Sequence, residues 1–407
     1  MLKTGIKVLV VLLLTLMFCK CVDPYVPELS GYESILVVEG LITDENSSYT
    51  VKLSRSVQHQ DTVPEVISDA VIYISDENLK TVYLNNAGNG IYKTDSTEFQ
   101  GMIGKTYILH IQTMEGNLYE SEPYTMEPVS EIDKIYYAKD QQIGNSGTVM
   151  NEGLRIYLDS RGGTNKYYRW EYVETWKFKV PNPRKYEYVN ETLIVPVADT
   201  KEYCFKMQKS KEILIYSVFT GKSDQVEGQA ISFIDPKKSD RLLMQYSILM
   251  KQYSVSEKEY DFWYNMKQIN EKGGDIYSLQ PFPVISNIHN VNNPEEKVLG
   301  YFQVSAVKEK RRFITFGELS EMNFPNYRNP CKRIEMAPKD YPRSIFSPPL
   351  TWDDLYEMYT TSGYYFVEPL FIQGTEILGK MVFAKPECAN CELTGIETKP
   401  DFWIDMN

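Results

Sequence analysis

Histidine is nearly absent from this 407-residue chain, which has only His59, His110 and His289, far apart. Imidazole-based metal centres and acid–base sites therefore lose their usual donors. Also missing are HExxH, GxSxG, GxxxxGK[ST] and GxGxxG, so zinc-protease, α/β-hydrolase, phosphate-loop and dinucleotide chemistry have no handle. No cofactor is expected. No long basic stretch offsets the formal charge of −12, which argues against nucleic acid, because duplex binding rests on clustered Lys and Arg neutralising phosphates. The densest basic stretch, Lys308 to Arg312, contains Glu309 and reads as a solvated hairpin tip. Neither a fixed-period repeat nor a low-complexity tract is present, which leaves out a solenoid and a flexible stalk.

No apolar run reaches the ~20 residues that span a bilayer. The longest, Ile6 to Phe18, follows Lys3, contains Lys7 and is closed by Asp23 and Pro24. That layout predicts a cleaved export signal over residues 1–20. Two cysteines, Cys19 and Cys21, end the run, and a cysteine there predicts lipid attachment. Each buried methylene of an acyl chain contributes about 0.8 kcal/mol, so two or more chains hold a soluble body stably on a membrane.

Apolar residues make up 43% of the chain and charged residues 24%, enough for real cores. Between Ile35 and Tyr124 the runs ILVVEG, YTVKLS, AVIYIS, TVYL, TYILHI and LYESEPY are β-branched and aromatic, separated by turn formers such as NNAGNG and MEGN. Short strands with regular turns and no helix predict a β-sandwich over residues 21–128. GNGIYKTD followed by GKTYILHI resembles the transthyretin-like or carboxypeptidase-regulatory sandwich, of immunoglobulin-like build. The polar join MEPVSEIDK marks the boundary, and residues 129–407 read as a larger β-rich unit with a few short helices. RLLMQYSILMKQYSV is too continuously apolar to face water on one side and reads as a central strand or a bent pair of strands. Ser256 with Glu259 predicts a capping box opening a helix that Gly273 and Gly274 end, and Thr351 with Asp354 predicts a second helix start.

In KYYRWEYVETWKF, Tyr168, Trp170 and Tyr172 point one way and Tyr167, Arg169 and Glu171 the other. The aromatic face, with Trp263 from the first helix, is the candidate platform for a sugar or peptide ligand; packing a sheet core is the competing role for such rings. Cys204, Cys331, Cys388 and Cys391 lie in an exported, disulfide-permissive body, and four cysteines allow three pairings. The tail CANCELTGIETKPDFW offers a C-x-x-C pair. Zinc would want a second matching pair and thiol exchange a strand-to-helix setting, so disulfide bonding that staples the terminus is the expected role.

CVDPY, ILVVEGLITDE, YYRWEYVET, QYSVSEKEYDFW, ISNIHNV with VLGYFQVS, and CANC…KPDFW together resemble an uncharacterised family of Bacteroidota outer-membrane lipoproteins defined by a domain of unknown function. In that family the lipid-bearing cysteine directly precedes a short Asp/Glu-Pro stretch, which implies Cys21 as the anchor rather than Cys19. Paired glycines usually follow the second tail cysteine there; Leu393, Thr394 and Gly395 depart from that pattern. The resemblance implies a TonB-dependent outer-membrane receptor as partner and a role as accessory or ligand-capture subunit. A cell-surface hydrolase acting on glycan or peptide, and a structural or adhesive surface protein, are the alternatives.

Overall fold

A computed structural model describes residues 34–406 apart from 58–62, 98, 144–149, 220–224, 273–285 and 341–349. The expected signal, Cys19, Cys21 and the Gly273–Gly274 helix stop lie outside the described residues. The protein is mostly β, built as several sheets with a few short helices.

The first sandwich sets a sheet containing Leu36–Ile42, Thr50–Arg55 and Ile91–Lys93 against one containing Val71–Asp76, Thr106–Gln112 and Leu118–Ser121. Alternate residues point inward: Leu36, Val38, Val51 and Leu53 from one sheet share a buried core with Ile72, Ile74, Leu109 and Ile111 from the other. Each such side chain contributes roughly 1.5–3 kcal/mol by leaving water.

Residues before 129 do not complete this sandwich. Val298–Val304 adds parallel to Leu36–Ile42, with Leu36 opposite Val298, and Ile288–Asn290 adds antiparallel to Leu118–Ser121. Each sheet therefore takes an edge strand from the region that the sequence assigns to the second unit. The physical reason is that a bare edge presents unpaired N–H and C=O groups, which any extended segment can satisfy however distant in sequence. The parallel pairing needs Gly300: its φ is +91°, and a Cβ there would come within 1.9 Å of the Val38 carbonyl oxygen. The 126–134 join is packed rather than loose, since Met126 and Val129 are buried, Ser254 Oγ donates to the Glu127 carbonyl at 2.8 Å, and Gln252 Nε2 donates to the Ser130 carbonyl at 2.7 Å.

A second sandwich follows. Its larger sheet runs Tyr203–Lys209, Tyr167–Lys179, Gln245–Ser254, Val307–Thr315, all antiparallel. Gln245–Ser254 is thus the central strand expected from its continuous apolarity. Leu154, Ile156 and Leu158 of the smaller sheet, Ile132–Ile143, Met150–Ser160 and Val226–Ile234, share its core with Trp170, Tyr246, Ile248 and Met250. The basic stretch Lys308 to Arg312 lies inside the edge strand Val307–Thr315, not at a hairpin tip. Its cations meet local partners: Lys308 pairs with Glu131 at 3.1 Å, Lys310 donates to the Asp133 carbonyl at 2.5 Å, and Arg312 pairs with Glu318 at 2.6 Å. Charge on an edge strand also discourages further pairing.

A small C-terminal module packs the helix Trp352–Thr361 on a sheet of Ile334–Met336, Leu378–Ala384 and Tyr365–Phe371, around Leu355, Phe366, Met381 and Phe383. Its start is the expected capping box: Thr351 Oγ1 accepts from the Asp354 N–H at 3.1 Å, and the Asp354 carboxylate accepts from the Thr351 N–H at 2.8 Å. Cys204 bonds to Cys391 and Cys331 to Cys388. The C-x-x-C pair therefore never closes on itself. Each of its cysteines reaches a distant partner, and the tail also exchanges two backbone hydrogen bonds between Ile396 and Phe205, both 2.8 Å.

Candidate functional site

The two faces of Tyr167–Lys179 have different fates. Tyr168 and Trp170 are fully buried: Tyr168 Oη lies 3.1 Å from Ser130 Oγ, and Trp170 Nε1 donates to Gln252 Oε1 at 2.7 Å. Tyr168 therefore belongs to the core and is no ligand platform. Trp170, Tyr172 and Trp263 do border a cleft of about 630 Å³, within the range of sites that enclose drug-sized ligands. Its most distinctive chemistry comes from the opposite face, from Arg169 and Glu171.

The cleft opens where three structures meet: the loop after Leu36–Ile42 in the first sandwich, the large sheet of the second, and the helix Glu257–Lys272. The sheet edge is interrupted there. Tyr203–Lys209 pairs with residues 173–179 and Leu214–Ser217 with residues 167–170. Between them Ser210 spans the gap, its N–H donating to the Tyr172 carbonyl at 2.8 Å and its Oγ accepting from the Tyr172 N–H at 3.1 Å. Residues 211–213 then leave the sheet and, with Lys209 and Ser210, form a wall.

Arg169 lines the cleft although only 5% of it is exposed. Its guanidinium lies between two rings, 4.6 Å from the centroid of Tyr253 and 4.8 Å from that of Trp263. Cation–π attraction to both rings restrains the guanidinium, whose N–H groups serve its polar partners. Nη1 donates to Glu171 at 2.5 Å and Nη2 to Gln303 Oε1 at 3.2 Å, while the buried Nε has no acceptor among the described residues. Burial pushes the Glu171 carboxyl up, but Arg169 and the Tyr253 hydroxyl outweigh it and hold Glu171 below its ordinary value.

Behind Arg169 lies Glu259, fully buried on the helix. The expected capping box is half made: Ser256 Oγ accepts from the Glu259 N–H at 3.0 Å, but the Glu259 carboxylate turns inward, accepting from Gln303 Nε2 and, at 3.4 Å, from Trp263 Nε1. Desolvation pushes its pKa up to about 7, against the opposing pull of Arg169 and these donors. Gln303 thus links Arg169 to Glu259 from the strand lent to the first sandwich. At the rim, Lys251 pairs with Glu45 at 3.0 Å and Glu309 at 2.5 Å, and Glu212 accepts from the Tyr172 hydroxyl at 3.0 Å. Lys209 and Lys211 are exposed and form no ion pair among the described residues.

Arg169, Glu171, Tyr253, Glu259 and Gln303 escaped nomination from the sequence. The available signal was Arg169 itself, an arginine held in an aromatic strand between two buried positions. Cys388 and Cys391 serve as staples, and no cluster of three metal-ligating side chains occurs among the described residues.

A family profile described as domain of unknown function (DUF4249) matches residues 22–311. No curated protein matches. Among solved structures, one described as "Biofilm associated protein - BSP domain" aligns at 8% identity over 70% of this chain and 62% of that one, with a TM-score of 0.11. The alignment thus spans less than two thirds of that chain's length, and at this score it carries no argument.

Proposed function

We propose, from the premise that this chain belongs to the DUF4249 family, that it is an outer-membrane-anchored lipoprotein acting as ligand-capture or accessory subunit of a TonB-dependent transporter. The observation that carries the capture role is the Arg169 cleft, a solvent-open cavity assembled from both sandwiches and floored by a charged group with an unused donor. A cavity at a junction of units is a common place for a ligand. Binding fits this site better than hydrolysis, because two of its three carboxylates are held in ion pairs, Glu171 by Arg169 and Glu45 by Lys251. Anchoring rests on the N-terminal sequence, where Cys21 follows an export signal. Among the described residues no helix is long and apolar enough to cross a membrane.

The test is isolation from native membranes in mild detergent. A diacylated or triacylated Cys21 at the mature N-terminus, together with a co-purifying TonB-dependent receptor, is the expected result. An unmodified N-terminus with the protein in the soluble fraction, or a membrane-bound protein that elutes alone from cells expressing the receptor, removes the proposal.

A further inference from the structure

The charges around the cleft differ from those of the chain as a whole. The protein carries a formal −12, yet four basic side chains, Arg169, Lys209, Lys211 and Lys251, line this cavity beside the acids Glu45, Glu171 and Glu212. Two of these pairs are internally neutralised, Arg169 with Glu171 and Lys251 with Glu45. What remains for a ligand is the one Arg169 donor without an acceptor, the buried Nε, with the exposed ammonium groups of Lys209 and Lys211, and separately the exposed carboxylate of Glu212, which accepts from the Tyr172 hydroxyl but has no cation within ion-pairing distance among the described residues. The unmet demand therefore has both signs.

A ligand that answers it must carry an anion and a cation together. A polyuronate repeats negative charge along its length and would meet three carboxylates, while a neutral glycan would answer neither the cations nor Glu212. We propose that the cleft takes a short peptide, its terminal carboxylate against Arg169 with Lys209 and Lys211, and its terminal ammonium at Glu212. This rests on the cleft being the capture site proposed above and adds the chemical class. The guanidinium suits a carboxylate because it is already restrained by Tyr253 and Trp263, so little ordering remains to be done on binding. Residues 211–213, beyond the paired strand end at Lys209, offer an irregular wall, with Ser47 and Ser48 across from the first sandwich.

The experiment uses the full mature protein in detergent and native mass spectrometry with a pool of tripeptides bearing free termini. Parallel runs use the same pool amidated at the C-terminus, the same pool N-acetylated, and trigalacturonate. Retention of the free pool is expected, with about tenfold weaker binding or worse on amidation, the worth of a charge-assisted hydrogen bond. Glu212→Gln should weaken the free pool and leave the acetylated pool unchanged. Because Arg169→Met could unfold the protein, Lys209→Ala combined with Lys211→Ala serves as the exposed variant, expected to lower affinity several-fold with an unaltered circular dichroism spectrum. Equal binding of amidated and free pools, retention of trigalacturonate in place of peptides, or no retained peptide would each overturn the assignment. Peptide binding without a co-purified receptor would remove only the transporter partnership; a co-purified receptor without peptide binding would remove only the ligand class.

Discussion

Replacing Glu259 by glutamine should stabilise the protein at alkaline pH and leave it nearly unchanged in acid. Only 1% of Glu259 is exposed, and desolvation carries its pKa from 4.5 to about 7. At about 1.4 kcal/mol for each unit, the shift corresponds to about 3 kcal/mol. A carboxyl with a raised native pKa binds its proton more tightly when folded, so unfolding free energy falls as pH climbs from 4.5 towards 7, and the whole penalty is present above 7. Glutamine mimics the protonated form in shape, and its carbonyl can still accept from Gln303 and Trp263. Arg169 is the cation facing this carboxyl; Tyr124 and Tyr301 also face it, and burial raises both phenols, so they stay neutral over this range. Urea denaturation of wild type and Glu259→Gln at pH 4.5 and pH 8, with disulfides intact, isolates the term, because the difference between the two proteins cancels every other titration. The expected gain for the variant at pH 8 is up to ~3 kcal/mol, shrinking towards zero at pH 4.5. A variant less stable than wild type at pH 8 would refute the reasoning, since it would mean that attraction between ionised Glu259 and Arg169 outweighs the desolvation.

Gly300→Ala should cost about 3 kcal/mol and shift the urea midpoint down, because the new methyl meets the Val38 carbonyl and the backbone sits at positive φ; an unchanged midpoint would show that the parallel pairing with Leu36–Ile42 does not form. Removing Cys331 with Cys388, a separation of 57 residues, or Cys204 with Cys391, a separation of 187, should lower stability by up to about 4 or 5 kcal/mol in the chain-entropy limit. The first loop is nested in the second, so the two losses should not be strictly additive, and peptide mapping without reduction should recover these two pairings alone. Cys21→Ser should release the protein from the membrane fraction, and continued sedimentation with membranes would point to a tether other than lipid.

Local features were legible in the sequence because they obey local rules. Thr351 and Asp354 cap a helix as their spacing requires, the 245–254 run is central as its density of apolar residues suggests, and the short runs before Tyr124 alternate into a sandwich core. Long-range choices were not legible. ISNIHNV and VLGYFQVS look like ordinary strands of the region that contains them, and nothing in their composition states that they complete a sheet begun more than two hundred residues earlier. The disulfides behave alike: three pairings were open, and only the fold brings Cys204 beside Cys391.

The binding face illustrates the same division more sharply. Alternation in Tyr167–Lys179 separates the aromatic set from Arg169 and Glu171, yet alternation alone does not say which set meets solvent. Large rings suggest a platform for a ligand, but rings are also the cheapest groups to bury, and in a sandwich they go to the side that has a second sheet to cover them. The charged set is then left outward, where it would be ordinary surface but for the exchanged strand. Val298–Val304 carries Gln303 to Arg169, and the helix brings Trp263 over the guanidinium. A surface arginine becomes a buried, oriented one through long-range topology, so the site could not be read before the strand exchange was known.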